Sequence, residues 1–238
     1  MPTAQDVGKV IARGIGPVVS AVGPQAAGGA LRRVLEIAID GMGVLPGAKA
    51  AAVRQLQRHN GAVDEAIESL INFHVRLASA QGFVTNLGGI AALPVSMPAN
   101  LTGVAVVQVR MVAAIAHLRG YDVADNRVRT ALVMCLMGGE EVGRHIALGH
   151  LPTSPMAVAT APVFDPELDR VVAEKVVTDL AARVGGKSLA LALTKRVPLL
   201  GGGIGAVVDA LATHQIGTYA KGELLPRRAL RQPLRLPD

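Results

Sequence analysis

A chain of 238 residues, half of them apolar, can bury a core of its own, so no metal or disulfide is needed to hold the fold together. Its single cysteine excludes an intramolecular disulfide and fits a reducing compartment, and the N-terminus lacks the charged-then-apolar order of a secretory signal. We therefore expect a cytoplasmic protein. Its formal net charge is +6, and the excess is concentrated in an arginine-rich C-terminus.

Apolar residues at helical spacing dominate the first third of the chain. Residues 25–40 and residues 62–81 each gather apolar side chains on one face, as amphipathic helices do. The stretch from Gly41 to Gly47 separates the first of these from a further helix, expected over Ala48 to His59. In the second helix His74 lies on the apolar face, so we expect a buried, hydrogen-bonded histidine.

The centre of the chain holds its most unusual segment. Between Arg76 and Arg110 lie 33 residues without Asp, Glu, Lys or Arg. Glycines and prolines interrupt this run, so it is no ordinary transmembrane helix, which needs about 20 apolar residues in succession. We expect a helical hairpin whose first arm ends near Leu93, whose bend is formed by Pro94 to Pro98, and whose second arm runs back to Leu118.

Two interpretations of this hairpin compete. In the first, it is the buried centre of a soluble bundle, and Arg110 pairs with an acid from another helix. In the second, its uncharged tip enters a membrane. Arg110 is about 18 Å of helix from Pro98, whereas half of the hydrocarbon core is about 15 Å thick, so the tip can occupy one leaflet without Arg110. The residues that would contact a membrane or a partner are Gly88, Gly89, Leu93, Pro94, Val95, Met97 and Pro98.

The second half of the chain predicts further helices. Asp125 is a candidate N-cap, and Cys135 lies in an apolar run and is expected to be buried. The pair Gly185-Gly186, followed by Lys187-Ser188, is interpreted as a helix end, since the spacing of a phosphate-binding loop is not met. The expected segments are helices over 126–137, 140–148, 167–184, 187–196 and 203–221, with a proline-rich loop over 149–166.

No stretch shows the sustained two-residue alternation of a β-strand. The sequence therefore predicts an all-α, multi-helix bundle with a central apolar hairpin broken by glycine and proline. We expect a single helical domain over residues 1–222. Residues 223–238 form a basic C-terminal tail that is expected to be flexible.

Residues 79–122 resemble the centre of the EcsC protein family, which shows a glycine-rich stretch, a Leu-Pro…Pro bend, a Gln-x-Arg element and a terminal Gly-Tyr-Asp. Residues 195–205 resemble the family's second glycine-rich element. The chain departs from the family at Ser96, where an acid is common, and at Asp209, where Asn is common. Outside the bend, the residues that carry the resemblance include Gly82, Gln108, Arg110, Tyr121, Asp122, Pro198, Gly201 and Gly205.

This resemblance implies a bacterial protein. The family takes its name from a gene that stands beside those of an ABC exporter. It implies no catalytic residue and no cofactor, so we expect neither.

The best metal candidate in the sequence is Glu141 with His145, which are four residues apart and share one helix face. Glu140 and His150 lie nearby. An ordinary solvated helix face is the favoured alternative, because a lone pair at this spacing is a weak signal.

Three functional hypotheses follow. The leading one is a non-enzymatic bacterial helical protein that associates peripherally with the anionic cytoplasmic membrane face or with a membrane transport complex. The second is a metal-dependent enzyme using Glu141 and His145, and the third is a soluble scaffold that forms a homo-oligomer. The arginine-rich tail lacks interleaved aromatic residues, so no specific nucleic-acid binding is expected.

Overall fold

The computed structural model describes residues 24–42, 45–86, 93–193 and 198–227; within them the side chains of 24–30, 42, 45, 81–86, 93–102, 181, 183–193 and 198–205 are outside the description. The described ranges hold nine helices and one pair of two-residue strands, which confirms the all-α class. In chain order they are α1 (Pro24–Asp40), β1 (Gly41–Met42), β2 (Leu45–Pro46), α2 (Ala48–Arg58), α3 (Val63–Asn86), α4 (Leu93–Leu118), α5 (Asn126–Cys135), α6 (Gly139–Ala147), α7 (Pro155–Ala159), α8 (Pro166–Leu193) and α9 (Pro198–Glu223).

Three helices, α3, α4 and α9, form the centre of the molecule. Asp64 on α3 pairs with Arg119 beyond the end of α4, and His74 contacts Arg110 of α4, so α3 and α4 run antiparallel. Helix α9 is antiparallel to α3, because Lys221 pairs with Glu68 while Ser79 bonds the backbone of Ala206. The expected helical hairpin is therefore present, and α9 lies along both of its arms.

Among the described side chains, those of α4 are the most deeply buried. Every residue from Val104 to Ala116 is buried, whichever way its side chain points. A helix that is apolar all round belongs in the core of a bundle. This part of the charge-free segment therefore agrees with the first interpretation of the hairpin.

The bend of the hairpin differs from the prediction. Helix α4 already begins at Leu93, so Pro94 to Pro98 are helical and do not form the turn. Pro94 is tolerated there because the N–H group that proline lacks has no intrahelical partner in the first turn of a helix. Pro98 is the sixth residue of α4, so it removes one backbone hydrogen bond of the helix. The first arm ends at Asn86 and not near Leu93, and the residues that connect the two arms, 87–92, lie outside the described residues.

Four local features also differ from expectation. Helix α8 continues through Gly185-Gly186 to Leu193, so this glycine pair does not end it. Helix α9 begins at Pro198 instead of residue 203 and includes Gly201 to Gly203. The proline-rich loop contains the short helix α7, and β1 and β2 pair antiparallel within the glycine-rich stretch, with Gly41 opposite Pro46.

Helices α1, α2, α5 and α6 begin and end within two residues of their predicted bounds. The Asp125 side chain caps α5 by accepting a hydrogen bond of 2.9 Å from the N–H of Arg127.

The single cysteine provides a probe of unfolding. Cys135 is fully buried, and burial raises the pKa of its thiol, so the reactive thiolate is scarce in the folded protein. We expect a thiol reagent such as a disulfide dye to label the native protein at the rate of unfolding and to label it at once in concentrated denaturant. Immediate stoichiometric labelling under native conditions would contradict the burial.

Candidate functional site

A buried cation lies where α3, α4 and strand β2 meet. Arg110 is 3% exposed, and its Nε donates a hydrogen bond of 2.7 Å to the carbonyl oxygen of Pro46. Its Nη1 donates to Nε2 of His74 over 3.0 Å. His74, which is fully buried, completes the chain by donating from Nδ1 to the carbonyl oxygen of Leu70 over 2.8 Å. The prediction of a hydrogen-bonded core histidine is confirmed.

The prediction that Arg110 pairs with an acid is wrong for the part of the chain that the structure describes. No carboxylate there forms an ion pair with Arg110, whose recorded partners are a neutral imidazole and a backbone carbonyl. Burial, and then the charge of Arg54, lowers the pKa of Arg110 to about 10, so the guanidinium is still charged at neutral pH. Burial, and then Arg110 itself, lowers the pKa of His74 to about 3, which keeps the ring neutral as an acceptor.

The Gly-Tyr-Asp element, residues 120–122, ends α4 and contacts the segment that follows α9. Gly120 ends α4 with a positive φ of 88°, and the N–H of Tyr121 bonds back to the carbonyl of Ala116, as in a Schellman cap. The hydroxyl of Tyr121 donates 2.9 Å to the carbonyl of Leu225 after α9. Asp122 accepts from the N–H of Ala124. The element thus turns the chain and anchors the end of α9.

The other residues of the family resemblance also lie in the central bundle. Gln108 is buried and donates to the hydroxyl of Thr213 on α9 over 3.2 Å. Pro198 is the first residue of α9, and Gly201 and Gly205 lie in its first two turns. Gly82 lies in the last turns of α3. Gln108 thus links α4 to α9, and none of these five family residues carries a nucleophilic or acid–base side chain.

The predicted tip residues divide into two groups. Gly88 and Gly89 lie outside the described residues. Five residues lie in the first turns of α4, and the structure describes their backbone only: Leu93, Pro94, Val95, Met97 and Pro98.

One end of the central bundle gathers three helix termini, and we call it the bundle end: the last turn of α3 and the first turns of α4 and α9. Gln108 contacts Thr213, and α4 and α9 each begin fifteen residues before this contact. Ser79 of α3 contacts Ala206 of α9. The end of α3 lies seven residues after Ser79, and the start of α9 lies eight residues before Ala206. At 1.5 Å per residue the three termini lie at nearly the same height.

Exposed apolar side chains lie on α9 beyond the turns that belong to the bundle end. Val207 is 57% exposed and Leu211 is 58% exposed, and their spacing of four residues places them on one helix face. Val208 beside them is also exposed. The distances along α9 from its start to Val207 and Leu211 are about 14 and 20 Å. Asp209, the only acid among these residues, is buried.

A separate cluster of polar side chains joins α6 and α8. Nε2 of His145 lies 3.2 Å from Oδ2 of Asp179, and one ligand atom each of Glu141, His145 and Asp179 lie within 4.8 Å of one another. Nδ1 of His145 lies 3.3 Å from Nδ1 of His150. The positive charge of Lys175 is the leading cause that lowers the pKa of His150. Glu141 and His145 were predicted as metal candidates; Asp179, which is 34 residues away, was missed.

These features define an all-α bundle whose central helix is buried from Val104 to Ala116, with a glycine-capped Tyr-Asp corner and no recognisable catalytic constellation within the described residues. The sequence model of the EcsC protein family matches residues 30–228, and the chain belongs to this family. Searches of the curated proteins and of the solved structures gave no match.

Proposed function

We propose that the protein is a non-enzymatic bacterial helical protein that binds peripherally to the anionic cytoplasmic face of the cell membrane through the bundle end. The observation that carries this proposal is the exposed apolar face of Val207 and Leu211 next to three helix termini whose sequences are free of acids. Contiguous exposed apolar surface is rare on soluble monomers and is typical of membrane or protein contacts.

The charge distribution favours an anionic bilayer as the occupant of this surface. From Ser69 to Tyr121, which covers the α3–α4 hairpin beyond its first turns, the chain contains no acid. From Leu180 to Val208 it again contains none, but it carries the basic residues Arg183, Lys187, Lys195 and Arg196. Each Lys or Arg near an anionic membrane surface contributes about 1 kcal/mol of binding.

The basic residues limit how deeply the protein can enter a bilayer. Lys195 and Arg196 lie just before α9 in the sequence, so the bundle end stays at the headgroups, because a Lys or Arg at the bilayer centre costs about 2.5–3.5 kcal/mol. Val207 and Leu211 lie on one side of α9, about 14 and 20 Å from its start, so a protein that rests with α9 along the membrane surface places both side chains in the interface. Over the described residues no helix is both long and apolar enough to cross a membrane.

Flotation of the full chain with liposomes tests this proposal. We expect the protein to float with vesicles rich in phosphatidylglycerol at low salt and to float less with neutral phosphatidylcholine or at high salt. The double substitution Val207→Asp with Leu211→Asp is expected to weaken binding at least tenfold, because burying one such side chain contributes about 1.5–3 kcal/mol.

A matched control keeps the same chemistry at another site. Val163 and Leu148 are exposed in the loops around α6 and α7, and Val163→Asp with Leu148→Asp is expected to leave flotation unchanged. Circular dichroism should show native helix content in both double variants. A wild-type protein that remains entirely in the soluble fraction with anionic vesicles at low salt would rule out membrane binding and leave a protein partner for this surface.

A further inference from the structure

We propose that Glu141, His145 and Asp179 bind one divalent transition-metal ion of the zinc class, a property that does not depend on membrane binding. The three residues come from two helices, and they supply one imidazole nitrogen and two carboxylate groups. Imidazole suits zinc and its neighbours in the transition series better than it suits calcium or magnesium, and two carboxylates balance the charge of a dication.

The distances fit a common coordination sphere. Ligand atoms about 2.0–2.1 Å from a tetrahedral ion lie about 3.3–3.4 Å from one another, close to the 3.2 Å that separates Nε2 of His145 from Oδ2 of Asp179. The third ligand group, the carboxylate of Glu141, lies within the same 4.8 Å cluster. Three protein ligands leave one position for water.

The imidazole of His145 is held in the orientation that a metal ligand needs. The side chain is 5% exposed, and its Nδ1 faces Nδ1 of His150, on the opposite edge of the ring from Asp179. Ligating histidines almost always donate their second N–H group to such an outer partner, which fixes the tautomer. With metal bound, Nδ1–H of His145 donates to Nδ1 of His150, and Nε2 directs its lone pair at the ion.

A neighbouring cation competes for one of the ligands. Both hydrogen bonds that Arg144 forms with Glu141 go to Oε2, the longer of them over 2.9 Å from Nε. Binding of the ion therefore has to draw the Glu141 carboxylate away from Arg144. Removing Arg144 therefore makes the electrostatic potential at the site more negative and is expected to tighten metal binding.

Calorimetric titration of the untagged full chain with Zn²⁺, after stripping with a chelator, tests the site. We expect one Zn²⁺ per chain, binding that excess Mg²⁺ does not prevent, and a rise in Tm on addition of Zn²⁺. Glu141→Gln and Asp179→Asn are each expected to weaken binding at least tenfold, whereas Arg144→Gln strengthens it.

The matched control is Glu140→Gln, which removes an exposed carboxylate next to Glu141 on the same helix and is expected to leave the affinity unchanged. Glu141 is a third exposed, so its variant should fold even if Asp179→Asn does not. Failure of the wild type to bind Zn²⁺ at one per chain, or equal affinity in Glu141→Gln and Glu140→Gln, would overturn the proposal. Membrane flotation is measured separately and can fail without affecting this result.

Discussion

Gly217→Val is expected to lower the free energy of unfolding by about 1–3 kcal/mol, because α9 approaches both arms of the hairpin at this residue. A Cβ atom placed on Gly217 would lie 3.0 Å from Cγ1 of Ile71 on α3 and 3.1 Å from Cε of Met111 on α4. Valine adds two methyl groups beyond this Cβ. The end of Met111 can move, but Ile71 is a branched side chain in the fully buried core and has little freedom.

Gly222→Val, one and a half turns further along α9, is the matched control. A Cβ atom at Gly222 meets nothing within 4 Å, so this substitution is expected to be neutral or slightly stabilising. Urea denaturation at neutral pH measures the free energy of unfolding of both variants. In a thermal melt, each kcal/mol lost should lower Tm by about 2–4 °C. Equal stability of the two variants would show that α9 does not pack on the hairpin as closely as the structure has it.

Much of this fold was predictable from local signals. The apolar spacing of α3, the N-cap Asp125 and the glycine break before α6 each act within one or two turns of helix, and all three proved correct. Family membership was predictable for the same reason, because the glycines, prolines and Gly-Tyr-Asp element that mark the family are local sequence signals.

The errors arose where local signals were ambiguous. Pro94 and Pro98 suggested a turn, but both lie within α4, where proline in the first turn, as at Pro94, costs little. Gly185-Gly186 suggested a helix end, but a glycine inside a helix costs only about 1 kcal/mol, which a long helix can absorb.

The candidate sites were less predictable, because their partners are distant in sequence. Arg110 donates a hydrogen bond to the backbone carbonyl of Pro46, which lies 64 residues earlier. Every residue has a backbone carbonyl, so the sequence pattern cannot identify which one accepts this bond. Asp179 joins His145 across 34 residues and two helices. The exposure of Val207 and Leu211 depends on which face of α9 packs on α3 and α4, and the sequence of α9 does not reveal this because its apolar and polar residues are not separated onto two faces.

The buried histidine should make the protein sensitive to acid. The pKa of His74 is lowered to about 3, chiefly by burial and then by Arg110, whereas the unfolded chain has the ordinary value of 6.5. Between these values the unfolded state binds a proton that the folded state excludes. The contribution of His74 to the free energy of unfolding is therefore fully present above about pH 6.5. Below that pH it decreases by about 1.4 kcal/mol per pH unit.

Lowering the pH from 7 to 5 is thus expected to cost the wild type about 2 kcal/mol through His74 alone. His74→Gln removes this contribution, and the amide can still accept from Arg110 and donate to the carbonyl of Leu70. Urea denaturation at both pH values should show that the variant loses about 2 kcal/mol less than the wild type.

His214→Gln serves as the control, since it replaces an exposed histidine on α9 and should leave the pH-dependent loss as in the wild type. The same loss in all three proteins would mean that His74 takes up a proton as easily in the folded state as in the unfolded one. That result would place a solvating group or an acid beside Arg110, because a neutral imidazole hydrogen-bonded to a buried guanidinium cannot be protonated without bringing two like charges into contact.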